Sequence, residues 1–288
     1  MSRTLTRIAR SLLPPLAVDL VRGLVRRLSS VRAPEWEYVP SGWRTNDPRI
    51  KGWNVQNVLD TQRAKWPHFL ESVRGTGPLG LSHEALKSYE HDYAVHNTYM
   101  TYAYVLALAA RKKDRISLLD WGGGIGHYYV ISRVLLADVE IEYHCKDLRI
   151  LCQGGRELLP EANFHESEEE CFGRTYDLVL ASSSLHYSED WRQIVRRLAS
   201  ATHSYLYITR LPIVHQAPSF VVVQRPYQHG YETEYLGWFL NRQEFLAHLN
   251  TLQMELLREF LIQERPYVFK APEQGEYRGF LFRQRQEG

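Results

Sequence analysis

Two rhythms of apolar and polar residues divide the chain. From residue 116 onward, short apolar runs alternate with stretches whose apolar residues fall three and four apart, the pattern of strands followed by amphipathic helices. Strands are expected near 116–120, 139–145, 162–165, 176–182, 203–209, 253–262 and 277–283. Such alternation predicts a mainly parallel α/β sheet with helices on both faces. Two helix starts carry caps: Ser188 precedes "EDWRQIVRRLAS", and Asn241 has Glu244 three residues on, the spacing of a capping box. Residues 210–240 break the rhythm as a long aromatic insertion, a feature that is either functional or ordered by packing.

Before residue 110 the pattern is different. Residues 92–113 read as one long helix with Tyr99, Ala103, Leu106 and Ala110 on one face, and "TQRAKWPHFLESVRG" reads as helical but for Pro67. Residues 33–60 are rich in proline, glycine and tryptophan, and Trp36, Trp43 and Trp53 would be costly to leave in water, so an ordered wrap over the core is expected. At the start, Leu16, Leu20, Val21, Leu24, Val25 and Leu28 form one stripe with Arg22, Arg26 and Arg27 off it, a cationic amphipathic helix. It packs on its own domain or meets a partner or membrane surface. Pro14, Pro15 and Asp19 interrupt the apolar centre and argue against a cleaved signal. Three segments result: 1–32, basic and amphipathic; 33–110, wrap and helices; and 111–288, the main α/β domain with 210–240 as a substrate-side insertion.

Bulk composition narrows the class. With 288 residues, 44% hydrophobic and 24% charged, the chain can bury a substantial core, and no apolar run approaches the roughly 20 residues that span a bilayer. The net charge of +2 is uneven: residues 1–32 hold +6, leaving a mildly acidic remainder. That balance disfavours a nucleic-acid partner, and peripheral contact with anionic membrane would have to come through residues 1–32. Cys145, Cys152 and Cys171 lack C-x-x-C spacing, which points to buried reduced thiols, no metal site and a cytoplasmic setting, including the inner face of the membrane.

The chemistry concentrates in "SLLDWGGGIGHYY", residues 117–129. Four glycines lie between a strand and a helix, where the helix's first N–H groups and positive dipole end face the loop and a ligand can approach the backbone. A phosphate loop would need a lysine where His127 and Tyr128 stand, and the dinucleotide fingerprint fails because its glycines would fall on His127 or Ile125. What remains is Asp120 followed by alternate glycines at 122, 124 and 126, with Gly123 between. In an open α/β sheet, ligands bind at the strands' carboxyl ends, which singles out Asp147 after the second strand, Glu166 after the third, and Ser182, Ser183 and Ser184 after the fourth.

The Asp-x-Gly-x-Gly-x-Gly stretch resembles the first motif of the class I S-adenosylmethionine-dependent methyltransferases, and "YDLVLASSSLHYSEDW" resembles their fourth motif in the small-molecule branch. It lacks the Pro-Pro-aromatic tetrapeptide of nucleic-acid amino-methyltransferases. Together with "HNTYMTYAYVLALAA", "TRLPIV", "FVVVQRP" and "GWFLNRQEFL", these stretches look like a bacterial family of methyltransferases of unassigned acceptor, often attributed to cell-surface polysaccharide gene clusters. The resemblance spans most of residues 30–285. It implies a Rossmann-like seven-stranded sheet with an N-terminal helical or irregular extension, and S-adenosylmethionine as cofactor. It also implies the glycine turn against the methionine part and ribose, Asp120 near the ammonium, Asp147 on the ribose, and Glu166 or Ser167 near adenine.

The expected reaction is methyl transfer, foremost to oxygen, on a small-molecule or glycan acceptor. Arg210, His215, Arg225, Tyr227, His229, Tyr231 and Trp238 of the insertion are of the types that bind sugars, or else they cover the sheet edge. His186 follows the fourth strand where the methyl should project and suits a general base, with Tyr187 and His127 as alternatives from the same rim. The competing readings are an NAD-dependent oxidoreductase, since Asp147 serves either cofactor, and a non-catalytic adaptor that keeps the fold and is recruited to membrane.

Overall fold

The computed structural model describes residues 33–45, 47–79 and 92–285. The chain divides into two compact units, residues 1–34 and 35–288. The amphipathic helix expected over residues 16–28 lies outside the described residues.

Five parallel strands carry the second unit: β2 (Arg115–Trp121), β3 (Glu140–Lys146), β4 (Asn163–His165), β5 (Tyr176–Ser182) and β6 (Thr202–Val214), in the order β4-β3-β2-β5-β6. Beyond β6 lies antiparallel β11 (Glu276–Gln284), and beyond that β9 (Met254–Leu261). These are the seven strands expected from the sequence. Alternation along each strand sorts the core into two faces. Ile116, Leu118, Leu178, Leu180 and Tyr207 face one way, beneath α1 (Gln56–Arg74), α2 (Tyr93–Ala110), α3 (His127–Leu135) and α4 (Arg149–Leu158). Leu119, Val179, Ala181, Leu206 and Ile208 face the other, beneath α6 (Trp191–Ser200) and α7 (Arg242–Thr251), with the short α5 (Glu168–Phe172) alongside.

Helix ends follow side-chain chemistry. Asp92 caps α2 by accepting from Ala94 N at 2.7 Å, and Asn241 caps α7 by accepting from Gln243 N at 2.9 Å and Glu244 N at 3.1 Å. Glu244 does not close the box; its Oε2 accepts from Ser219 Oγ at 2.7 Å. The cap of α6 is Asp190, accepting from Gln193 N at 3.0 Å, because Ser188 ends the short turn Leu185–Tyr187. Pro67 sits inside α1 without ending it.

Four further strands extend the sheet where the sequence suggested irregular chain. Within the 210–240 insertion, β7 (Phe220–Gln224) and β8 (Tyr235–Asn241) form an antiparallel pair, and the far end of β6 pairs in parallel with β8 through Ile213 and Val214. Both strands are covered on two sides, so they read as continuous apolar runs and not as alternation. The wrap contributes β1 (Trp36–Tyr38), antiparallel to β7, and β10 (Val268–Phe269) lies parallel to β1. The wrap's tryptophans are anchored here: Trp36 meets Phe239 edge-on at 5.9 Å, Trp43 stacks on Trp238 at 5.8 Å, and Trp53 stacks on Tyr235 at 4.2 Å.

Candidate functional site

The chain leaves β2 toward β3 on one side of the sheet and returns at β5 on the other, so a crevice opens between the carboxyl ends of β2 and β5. A cavity of about 620 Å³ occupies it. At its floor, Gly122 (φ +75°) and Gly124 (φ +62°) take the left-handed conformation that disfavours side chains. A Cβ on Gly122 would collide with the Ser184 side chain, and one on Gly123 with the Asp120 carboxylate. Gly122, Gly123 and Gly124 line the cavity. Gly126 does not; it caps α3 at φ +96°, and a Cβ there would stand 2.6 Å from Leu159 Cδ1, so core packing behind the turn demands that glycine.

Asp147 lines the cavity at the end of β3. Its Oδ2 accepts from Gly124 N at 2.6 Å and its Oδ1 from Leu148 N at 2.6 Å, tying β3 to the glycine turn. Burial raises its pKa, opposed by those two bonds and by Lys146. Each oxygen keeps a second lone pair for a ligand hydroxyl.

Asp120 is fully buried beneath the turn and does not line the cavity. Tyr143 donates its hydroxyl to Oδ2, and Oδ1 has no partner among the described residues. Burial pushes its pKa up to about 7; the Tyr143 bond works against the rise and Asp147 adds to it.

At the end of β5, Ser182 Oγ lies 2.8 Å from Tyr128 Oη, and Ser183, at φ +53°, donates its N–H to Thr209 O at 3.0 Å. Both serines and Ser184 face the cavity. Tyr187 and His127 also line it. The Tyr187 hydroxyl donates to Gln224 Oε1 at 2.8 Å, and the His127 ring packs against Trp66 and Phe69 at 5.2 and 4.7 Å.

Residues 91–251 match the methyltransferase domain family. The chain belongs to that family. The methyltransferase is an enzyme that uses S-adenosylmethionine. No curated protein matches the sequence. Among solved structures, the methyltransferase is similar to an S-adenosylmethionine-dependent methyltransferase from Clostridium acetobutylicum, at 10% identity and a TM-score of 0.44 over 66% of this chain and 92% of that one. It is also similar to the 1,6-didemethyltoxoflavin-N1-methyltransferase of Burkholderia thailandensis, at 13% identity and a TM-score of 0.44 over 66% of this chain and 80% of that one.

Besides Asp120 and Gly126, two more expected site residues stand off the cavity of the methyltransferase. Glu166 is held outside the cavity by Arg156 at 2.7 Å and Arg149 at 3.7 Å; Glu168, in the first turn of α5, lines the cavity instead. His186 is wholly buried behind the wall, its ring against Tyr187 at 3.9 Å and Tyr277 at 6.1 Å, with neither nitrogen partnered among the described residues. Burial, with Arg210 adding, lowers its pKa to about 3, so it is neutral, and it does not line the cavity.

The insertion's polar residues are mostly held by carboxylates of the insertion itself, of the wrap and of β11. Arg225 pairs with Glu37 at 3.0 Å and Glu234 at 3.2 Å, Tyr227 donates to Glu234 at 2.6 Å, His215 meets Glu276 at 3.2 Å, and His229 meets Glu35 at 3.4 Å. Of the seven named from the sequence, Arg210 lines the cavity, joined by Tyr235 and Leu236. Arg210 sits at φ +48° within β6, its guanidinium 2.9 Å from Glu264. The sequence reading missed Lys51 and Trp53 of the wrap and Gln62 of α1, all on the wall. The only available signal was the wrap's density of tryptophan, which marked the segment but not its place.

Proposed function

We propose that this methyltransferase moves a methyl group to a hydroxyl oxygen of a small-molecule or glycan acceptor, the glycine turn cradling the cofactor and the aromatic wall of the wrap and β8 holding the acceptor. One observation carries the reading: a single cavity joins a turn with no room for side chains to a wall in which Trp53, Tyr187 and Tyr235 pack within 4.2 to 5.1 Å of one another. Flat aromatic faces suit the C–H faces of a sugar or another ring. The residues present fit S-adenosylmethionine: backbone is exposed at a strand-to-helix turn, Asp147 keeps acceptor capacity, and Gln62 offers a buried carboxamide oxygen with no partner among the described residues. When bound, the cofactor supplies a methyl on a positively charged sulfur that leaves without acid assistance.

The protein's own task is orientation and exclusion of water. The glycine turn and Asp147 fix one reactant, and Trp53, Tyr187 and Tyr235 fix the other. Ser182 and Ser183 present small polar groups between the two ends. Of the groups considered for the acceptor's proton, His127 and Tyr187 stand on the wall. No described helix is long and apolar enough to cross a membrane; a cytoplasmic enzyme touching an anionic surface through the +6 of residues 1–32 is the setting this reading takes.

The test has two arms. Calorimetry with S-adenosylhomocysteine and with NAD should show binding of the first alone; binding of NAD alone would overturn the reading. Labelled methyl transfer to a panel of sugar nucleotides, glycans, phenols and amines should mark hydroxyl acceptors, and exclusive labelling of amines would refute O-methylation.

A further inference from the structure

The cofactor's amino-acid end carries an ammonium, which only donates, and a carboxylate, which only accepts. The acid expected to meet the ammonium, Asp120, lies under the glycine turn and off the cavity wall. Another group stands in the corresponding place. Gln62, on α1, lines the cavity opposite Gly124, with its Oε1 3.1 Å from where a Cβ on Gly124 would be. The residue is only 6% exposed, and its Oε1 has no hydrogen-bond partner among the described residues. A buried carboxamide oxygen left unsatisfied is costly, and such a group in a native protein calls for a partner.

Helix α1 cannot easily turn this side chain elsewhere. Thr61 donates its hydroxyl to Gly230 O at 3.2 Å, and Lys65 donates to His229 O at 3.1 Å, so the residues before and after Gln62 are held by the insertion. On the other side, Leu59 packs so closely on Gly154 of α4 that a Cβ there would collide with it. Between these anchors the carboxamide is presented to the turn that starts α3.

From this we infer that Gln62 reads the amino-acid end of the cofactor, its oxygen accepting from the ammonium and its amide donating to the carboxylate. The inference rests on the cofactor reading of the glycine turn. It makes α1, which lies before the segment matched by the family, part of the cofactor site.

The test is calorimetry on the full chain with two ligands that share adenosine and a thioether: S-adenosylhomocysteine, which has the amino-acid end, and 5′-methylthioadenosine, which lacks it. In Gln62→Leu, S-adenosylhomocysteine affinity should fall at least tenfold, about 1.4 kcal/mol, while 5′-methylthioadenosine binds as in the parent. The ligand-free melting temperature should not fall, because the orphaned carboxamide oxygen is gone. Gln62→Met supplies the same comparison if the leucine variant misfolds. Equal loss of both ligands would reduce Gln62 to a packing residue, and unchanged discrimination would remove it from the site. A parent that binds 5′-methylthioadenosine but not S-adenosylhomocysteine would overturn this inference alone, whereas a parent that binds neither would overturn the cofactor site itself.

Discussion

Asp120 makes the folded protein's stability depend on pH in an unusual direction. Its carboxyl is raised from the ordinary 3.8 to about 7 by burial. Between those two values the unfolded chain has lost this proton while the folded chain keeps it, so this group's contribution falls as pH rises from about 4 to about 7 and is level beyond. A gap of about three pH units at about 1.4 kcal/mol each bounds the effect near 4 kcal/mol. Asp120→Asn keeps the volume and can still accept from Tyr143, but places an amide donor where Oδ1 has no partner, at a pH-independent cost of about 1–3 kcal/mol. The ligand-free variant should therefore be less stable than the parent near pH 4 and more stable by about 1–3 kcal/mol near pH 8. Urea unfolding of both proteins across that range gives the difference directly, with other titrating groups cancelling. A variant-minus-parent difference that stays constant within about 1 kcal/mol from pH 4 to 8 would refute the raised carboxyl.

Asp147→Ala should lower affinity for adenosine-containing ligands about tenfold and also lower the ligand-free melting temperature by roughly 5 °C, because it frees the N–H groups of Gly124 and Leu148; unchanged ligand affinity counts against the ribose role. His186→Leu should leave turnover at neutral pH within about threefold, since a buried group off the cavity wall is not placed for proton transfer. With its pKa depressed to about 3, His186 costs stability as pH falls below 6.5, so the variant should lose about 2 kcal/mol less than the parent on going to pH 5. A 100-fold loss of turnover, or identical acid sensitivity, would restore His186 to consideration.

The parallel part of the sheet was legible because its five strands are short runs separated by helices, and the observed β5 coincides with the expected 176–182. Strands β1 and β10, of 3 and 2 residues, carry no periodicity to read. Strands β7 and β8 lay inside a segment read as a loop because both are covered on two sides and show no alternation, and their partner β1 lies far off in sequence. Depth was the harder quantity. Asp120 shares parity with Ile116 and Leu118 on β2, and that alternation alone could have placed it inward. His186 lies in a short turn, where no periodicity tells rim from interior. Gln62 was invisible as a site residue, since one glutamine on a helix has no signature until the facing glycine turn is known.

The placement of the wall residues separates two tasks by origin. The glycine turn, Asp147 and the serines after β5 come from the strand ends of the segment matched by the family, whereas Trp43, Lys51, Trp53 and Gln62 come from residues before it. The early segment is held to the insertion by bonds that span the chain: Thr233 Oγ1 to Gly52 O at 2.8 Å, Glu232 N to Asn57 Oδ1 at 2.7 Å, and Arg225 to Glu37 at 3.0 Å. A change in the wrap therefore reshapes the acceptor wall without touching a sheet strand end, while a change in the glycine turn removes the donor cradle whatever the acceptor. Helix α1 reaches both, since it is bonded to the insertion through Thr61 and Lys65 and faces the turn through Gln62.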